Sequence, residues 1–169
     1  MQRMSTRRFV YITLLSAMAI ALNILESTFM PVMPMGIRVG FANIIALMAI
    51  EILGVKEMIT VNMMRVLIGN LMRGLIFSST FWISLSGVVL SSIILVICKK
   101  CKASLLFTSI FSSIAHTTGQ VLFVMYLYSQ VGMITILPYL LISSVGMGII
   151  TGIVAREAIK RIDGKIRLN

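Results

Sequence analysis

Long uninterrupted apolar runs are the feature of this sequence that most constrains its fold. The chain has 169 residues, of which 59% are hydrophobic and only 12% are charged. The apolar residues stand in consecutive runs, and a run of about 20 residues is long enough to cross the hydrocarbon core of a bilayer. A soluble domain of this length needs a charged surface that this chain does not supply. We therefore predict an all-α, multi-pass membrane protein.

Six apolar runs can be distinguished, and they form a single transmembrane domain over residues 1–169. The first follows three arginines, as in a signal peptide, but it is too long for one and further runs follow it. The second spans only about 22 Å as a helix, so it is either a short span or a re-entrant segment. The predicted spans are 9–30, 39–53, 57–77, 81–98, 104–128 and 133–155, followed by a basic tail at 156–169.

The distribution of positive charge favours six crossings with both termini in the cytoplasm of a bacterial membrane. Without the second span, Lys99–Lys102 and the basic C-terminus would face outwards, against the positive-inside bias. The net charge of +10 therefore indicates membrane orientation and anionic lipid, and we exclude nucleic acid as a partner. With six spans, the basic residues on the cytoplasmic side are Arg3, Arg7, Arg8, Lys56, Lys99, Lys100, Lys102, Arg156, Lys160, Arg161, Lys165 and Arg167.

The chain lacks the residues that most enzymes need. It has no phosphate-binding GxxxxGK[ST] motif and a single aspartate, Asp163, so no carboxylate pair can hold two metals. Cys98 and Cys101 form one CxxC, which without a second pair is a weak metal signal, and we expect two free thiols. We predict no catalytic residue, no metal and no cofactor.

Two arginines in the third span are candidates for anion binding. Arg65, Gly69 and Arg73 share one helix face, with Asn62 a turn earlier. Arg65 lies about 12 Å and Arg73 about 24 Å from the inner end of the span. Guanidinium groups bind carboxylates and phosphates in bidentate fashion. Alternatively, Arg65 pairs with Glu51 or a helix carbonyl, and Arg73 extends to the headgroups.

The remaining polar candidates lie at similar or greater depth. His116 and Gln120 are one turn apart near the middle of span five, where they either line a pocket or join helices. Glu26, Arg38 and Asn43 fall in the outer half. Together with the arginines they predict a pocket that opens to the outside.

The loop between the first two spans is a candidate lid. Pro31, Pro34 and Gly36 prevent a continuous helix, yet the loop is apolar. It either packs over the pocket or rests in the interface. In the first span, Ala17 and Ala21 form a small-xxx-small pair that allows close helix contact, within the bundle or with a partner.

The sequence also resembles a known family. The residues that carry the resemblance are Leu25-Glu26, Pro34–Ile44, Arg65, Ser84–Gly87, Ala115-His116 and Gly119-Gln120. They resemble the family called heptaprenyl diphosphate synthase component I, or Gx transporters. That family is similar in size and layout to the substrate-binding S components of energy-coupling-factor transporters.

The resemblance implies a six-helix protein that binds a small molecule from outside. It would give Ala17 and Ala21 a docking role towards a membrane T subunit with two ATPases, and it would make the Pro31–Gly36 loop the lid. We therefore expect uptake of a small anionic molecule, such as a vitamin, isoprenoid or quinone precursor. The alternatives are a non-catalytic membrane subunit of a heptaprenyl diphosphate synthase, and a scaffold whose polar residues only join helices.

Overall fold

The computed structural model describes residues 6–29 and 40–163, which form six α-helices and no strand. A short 3₁₀ turn, Val131–Thr135, precedes the last helix. Serine side chains cap α4 and α5, since Ser78 Oγ and Ser104 Oγ each accept a backbone hydrogen bond at 3.4 Å. The helices are α1 (Thr6–Phe29), α2 (Asn43–Ile52), α3 (Val55–Met72), α4 (Ser79–Lys100), α5 (Leu105–Tyr128) and α6 (Leu137–Asp163).

Four of these helices, α1, α4, α5 and α6, are long and apolar enough to cross a membrane. Helix α2 has only 10 residues, and α3 contains Lys56, Glu57 and Arg65. The predicted helices are therefore present, whereas six crossings and their orientation remain a prediction. Several bounds differ from prediction. Helix α2 begins only at Asn43, and α3 ends at Met72, shortly before Gly74 with its φ of +65°. Helix α6 begins at Leu137 and continues to Asp163.

Helix α2 lies in the middle of the bundle and contacts α1, α3, α5 and α6. Its sequence, NIIALMAIEI, is apolar on every face, and a helix of this kind must be buried all round. Asn43 and the residues from Ile45 to Ile50 are indeed buried. The main apolar core forms around them, with Leu15, Met58, Leu95 and Ala155 from α1, α3, α4 and α6. Burial on all sides also places the first residue of α2, Asn43, inside the protein.

Small residues bring α4, α5 and α6 into close contact. A Cβ on Gly119 would lie 2.9 Å from the carbonyl oxygen of Ser86, and one on Gly148 would lie 2.7 Å from Ile110 Cα. Ser109 Oγ donates to the carbonyl oxygen of Gly148 at 2.7 Å and lies 2.9 Å from Thr151 Oγ1. Close packing and interhelical hydrogen bonds of this type are what hold helices together in lipid.

Charged residues form ion pairs at one end of the bundle. Arg8 Nε lies 3.3 Å from Glu57, and its Nη2 donates to the carbonyl oxygen of Leu53 at 3.1 Å. Lys99 pairs with Glu51 at 2.6 Å. These contacts place the start of α1, the α2–α3 connection and the end of α4 at one end of the bundle. We call this the basic end, because it is where lysine and arginine residues collect.

Candidate functional site: a buried polar cluster

Arg65 is the largest side chain that is fully enclosed in the described part of the protein. Only 2% of its surface is exposed. Its Nε is buried and has no hydrogen-bond partner among residues 6–29 and 40–163. Its charge interacts with that of Glu26 on α1. The alternative partner Glu51 is wrong, because Glu51 pairs with Lys99 at the basic end.

Glu26 joins the end of α1 to the start of the segment that leads into α2. Its Oε1 accepts a hydrogen bond from the backbone N–H of Gly40. Gly40 has a φ of +94°, a backbone conformation in which a side chain is strained. Glu26 is buried as well, so α1, α3 and the entry to α2 meet at one carboxylate.

Gly40 also lies against two other predicted site residues. A Cβ placed on it would be 3.5 Å from His116 Cδ2 and 3.6 Å from Asn43 Nδ2. The imidazole of α5 and the amide of α2 therefore lie beside the backbone that Glu26 binds. The structure brings Glu26, Asn43, Arg65, His116 and Gln120 together in one buried region, which we call the polar cluster.

His116 and Gln120 form a hydrogen-bonded pair along α5, with 2.6 Å between their Nε2 atoms. Which of the two side chains donates depends on the tautomer of the imidazole and on the orientation of the amide. Helix α4 leaves room for this pair with a glycine. A Cβ on Gly87 would lie 2.7 Å from Gln120 Cγ and 3.0 Å from His116 Cε1.

Asn43 is the least satisfied polar residue of the cluster. It is 1% exposed, and neither Nδ2 nor Oδ1 has a hydrogen-bond partner in the described part of the chain. It does not cap its own helix, because the residue at the N-cap is Ala42 and no side-chain bond is made there. The cluster thus offers an amide edge and a guanidinium nitrogen that no described residue binds.

Arg73 is the predicted site residue of the described part of the chain that lies further from the cluster. Arg73 follows α3, about 12 Å along the helix axis from Arg65. It is half-buried, and its Nη1 is buried without a hydrogen-bond partner among the described residues. Arg38 and the proposed lid residues Pro31, Pro34 and Gly36 lie outside the described residues.

Sequence reasoning missed two contributors to the cluster. Asn23 lies one turn before Glu26 on the same buried face of α1. A Cβ on Gly69 of α3 would lie 3.2 Å from Asn23 Oδ1, so the glycine on the arginine face allows α1 to approach. The i, i+3 spacing of Asn23 and Glu26 was the available signal. Gly87 stood only in the Ser84–Gly87 stretch that carries the family resemblance, and nothing in its spacing predicted contact with the cluster.

The predicted docking residues Ala17 and Ala21 are exposed on α1. Ala17 lines a groove of about 1240 Å³ between α1 and α3. Phe9, Ile20 and Met64 contribute apolar walls, and Arg8 lies at its basic end. Helix α1 therefore presents a concave, mostly apolar surface that no other described residue covers.

Together these features define a class: a helical protein with four helices long and apolar enough to cross a membrane and a buried polar cluster between its helices. Among the described residues the cluster has hydrogen-bond donors, an acceptor and opposite charges. Residues 15–158 match the family model of heptaprenyl diphosphate synthase component I, and the chain belongs to that family. No curated protein and no solved structure matches the chain.

Proposed function

We propose that the protein is the substrate-binding subunit for uptake of a small anionic molecule across a bacterial cytoplasmic membrane. The observation that carries the proposal is the burial of Arg65, whose Nε has no hydrogen-bond partner within the described residues. A buried cation is costly unless it is paired or functional, and inside a membrane it is a candidate for substrate binding. Asn43, His116 and Gln120 supply neutral hydrogen-bonding groups around it.

The electrostatics of the cluster are compatible with an anion. The charge of Glu26 interacts favourably with that of Arg65, which lowers the cost of burying it. Arg73, about 12 Å further along α3, adds a second positive charge at the predicted outer end. A carboxylate or phosphate that entered from this end would meet Arg73 first and Arg65 at the base. A vitamin, an isoprenoid precursor or a quinone precursor could be an anion of this kind.

Active uptake needs an energy source that this chain does not contain. By its resemblance to S components, the subunit would dock on a membrane T subunit that works with two ATPases. The groove beside Ala17 supports this part of the proposal, because an uncovered concave surface between α1 and α3 can accept a partner helix. The family description supports a second candidate, a non-catalytic membrane component of a heptaprenyl diphosphate synthase.

The binding role is tested by Arg65→Lys. Lysine keeps the positive charge beside Glu26 but loses the bidentate guanidinium. Small molecules that co-purify with the protein from native membranes are identified by mass spectrometry, and the amount bound to each variant is compared. We expect at least a tenfold loss of bound anion with unchanged yield of folded protein. Arg161→Lys is the control, because Arg161 is exposed and pairs only along its own helix with Glu157 at 3.1 Å.

Equal binding by Arg65→Lys and the control would refute the anion-binding role. A parallel loss of folded protein in Arg65→Lys would favour the scaffold instead. The partner is tested by purifying a tagged copy in mild detergent. A co-purifying T subunit with two ATPases supports uptake, whereas a prenyl synthase catalytic chain without ATPases supports the second candidate.

A further inference from the structure

Two buried asparagines of the bundle differ in how their amides are satisfied. Asn43 on α2 and Asn62 on α3 are each 1% exposed. The Nδ2 of Asn62 donates to Ser92 Oγ at 2.8 Å and so joins α3 to α4, whereas its Oδ1 has no hydrogen-bond partner among the described residues. For Asn43, neither polar atom of the side chain has a hydrogen-bond partner among the described residues. Asn62 therefore joins two helices, whereas no hydrogen bond within the described part of the chain accounts for Asn43.

A buried amide without partners is destabilising, because both its donor and its acceptor lose hydrogen bonds to water on folding. An apolar residue of the same shape would fit the surrounding core better, since α2 is otherwise apolar over nearly its whole length. A bound water does not require an amide, because a shorter hydroxyl side chain would also bind it. The amide is therefore suited to a partner that offers a donor and an acceptor side by side.

The position of Asn43 supports such a partner. A Cβ placed on Gly40 would lie within 3.6 Å of both Asn43 Nδ2 and the His116 ring. The backbone N–H of Gly40 donates a hydrogen bond to Glu26, and the charge of Glu26 interacts with that of Arg65. The amide thus lies in the same cluster as the proposed anion-binding arginine.

We infer that Asn43 recognises an amide-type edge of the ligand, that is, an adjacent N–H donor and C=O acceptor as in a carboxamide, lactam or imide. A side-chain amide pairs with such an edge through two parallel hydrogen bonds, as asparagine does with adenine. The inference rests on the proposed function, because the ligand's anionic group is held by Arg65. It narrows the substrate to anions that also carry an amide-type edge.

Three compounds separate the two recognition elements. Orotate carries a carboxylate and an imide edge on one flat ring, benzoate carries only the carboxylate, and uracil carries only the imide edge. The thermal stability of the full-length protein in detergent is measured with each compound at the same concentration. We expect orotate to raise Tm more than benzoate or uracil does.

The test variants are Asn43→Leu and Asn62→Leu, which make the same change at equally buried positions. Asn43→Leu should have an unchanged or higher Tm without ligand, and its shift with orotate should fall to that with benzoate. Asn62→Leu should have a lower Tm, because Ser92 loses its partner, but should keep the extra shift with orotate.

The outcomes distinguish this inference from the proposed function. If Asn43→Leu keeps the extra shift with orotate, or if orotate and benzoate act equally on the unmodified protein, the inference is wrong and anion binding stands. A lack of any shift with all three compounds also overturns the inference. If Arg65→Lys leaves the shifts with benzoate and orotate unchanged, the proposed function itself fails.

Discussion

Gly87→Ala is the substitution that most directly tests the packing of α4 against the polar cluster. The added Cβ would lie 2.7 Å from Gln120 Cγ, 2.9 Å from the His116 carbonyl oxygen and 3.0 Å from His116 Cε1. The backbone carbonyl cannot move without moving α5, so the helices must separate or the side-chain pair must shift. Because one of the contacts is with the backbone, we expect overpacking to cost about 2–3 kcal/mol, while alanine regains about 1 kcal/mol of helix propensity. We expect a net loss of about 1–2 kcal/mol.

The assay is thermal unfolding of purified protein in detergent, followed by circular dichroism. For a chain of this size, the expected loss lowers Tm by about 2–8 °C. The matched control is Gly146→Ala on α6, where an added Cβ meets nothing within 4 Å. This control should leave Tm unchanged or raise it, because only helix propensity changes.

The same pair of variants also tests the coupling between packing and binding. Gly87→Ala should weaken ligand binding, since it displaces His116 and Gln120, whereas Gly146→Ala should not. If Gly87→Ala has the same Tm as the control and binds ligand normally, the inference that α4 and α5 are in close contact at Gly87 is wrong.

Three further substitutions probe other contacts. Gly40→Ala should lower Tm, because its φ of +94° strains any side chain by about 1 kcal/mol or more; an unchanged melting curve would contradict that backbone conformation. Ser109→Ala removes the bond from α5 to the Gly148 carbonyl and should cost about 1–2 kcal/mol, seen as a lower Tm, whereas wild-type stability would mean that this bond contributes nothing. Glu26→Gln removes the carboxylate whose charge interacts with that of Arg65, and it should lower the free energy of unfolding by about 3–5 kcal/mol. The yield of folded protein is measured by size-exclusion chromatography. A normal yield would show that the interaction between Glu26 and Arg65 does not stabilise the fold.

The helices could be predicted from the sequence. Apolar runs locate helices well, because each run must be buried or face lipid over its whole length. The depth of each polar residue along its helix predicted one group of Glu26, Arg38, Asn43, Arg73 and Gln120, with Arg65 and His116 below them. In the structure Glu26, Asn43, Arg65, His116 and Gln120 lie in one buried region, whereas Arg73 lies about 12 Å further along α3 and Arg38 lies outside the described residues. The role of these residues in binding stays a prediction.

Other features depend on contacts that spacing along the chain does not encode. The charge of Arg65 interacts with that of Glu26 and not with that of Glu51, because α1 packs on α3. Which helices are neighbours cannot be read from spacing along the chain. The roles of Gly87 and Gly69 depend on side chains of other helices that approach them. The central position of α2 could have been anticipated, because its apolar residues cover every face.

The central position of α2 has a consequence for how the protein is made. A helix of 10 residues is about 15 Å long and cannot cross a bilayer by itself. Its contacts include α6, which the ribosome synthesises after the other five helices. Helix α2 therefore reaches its final environment only when α6 joins the bundle. A chain that is cut before α6 should be recognised and degraded by membrane quality control, although every residue of the polar cluster has already been translated.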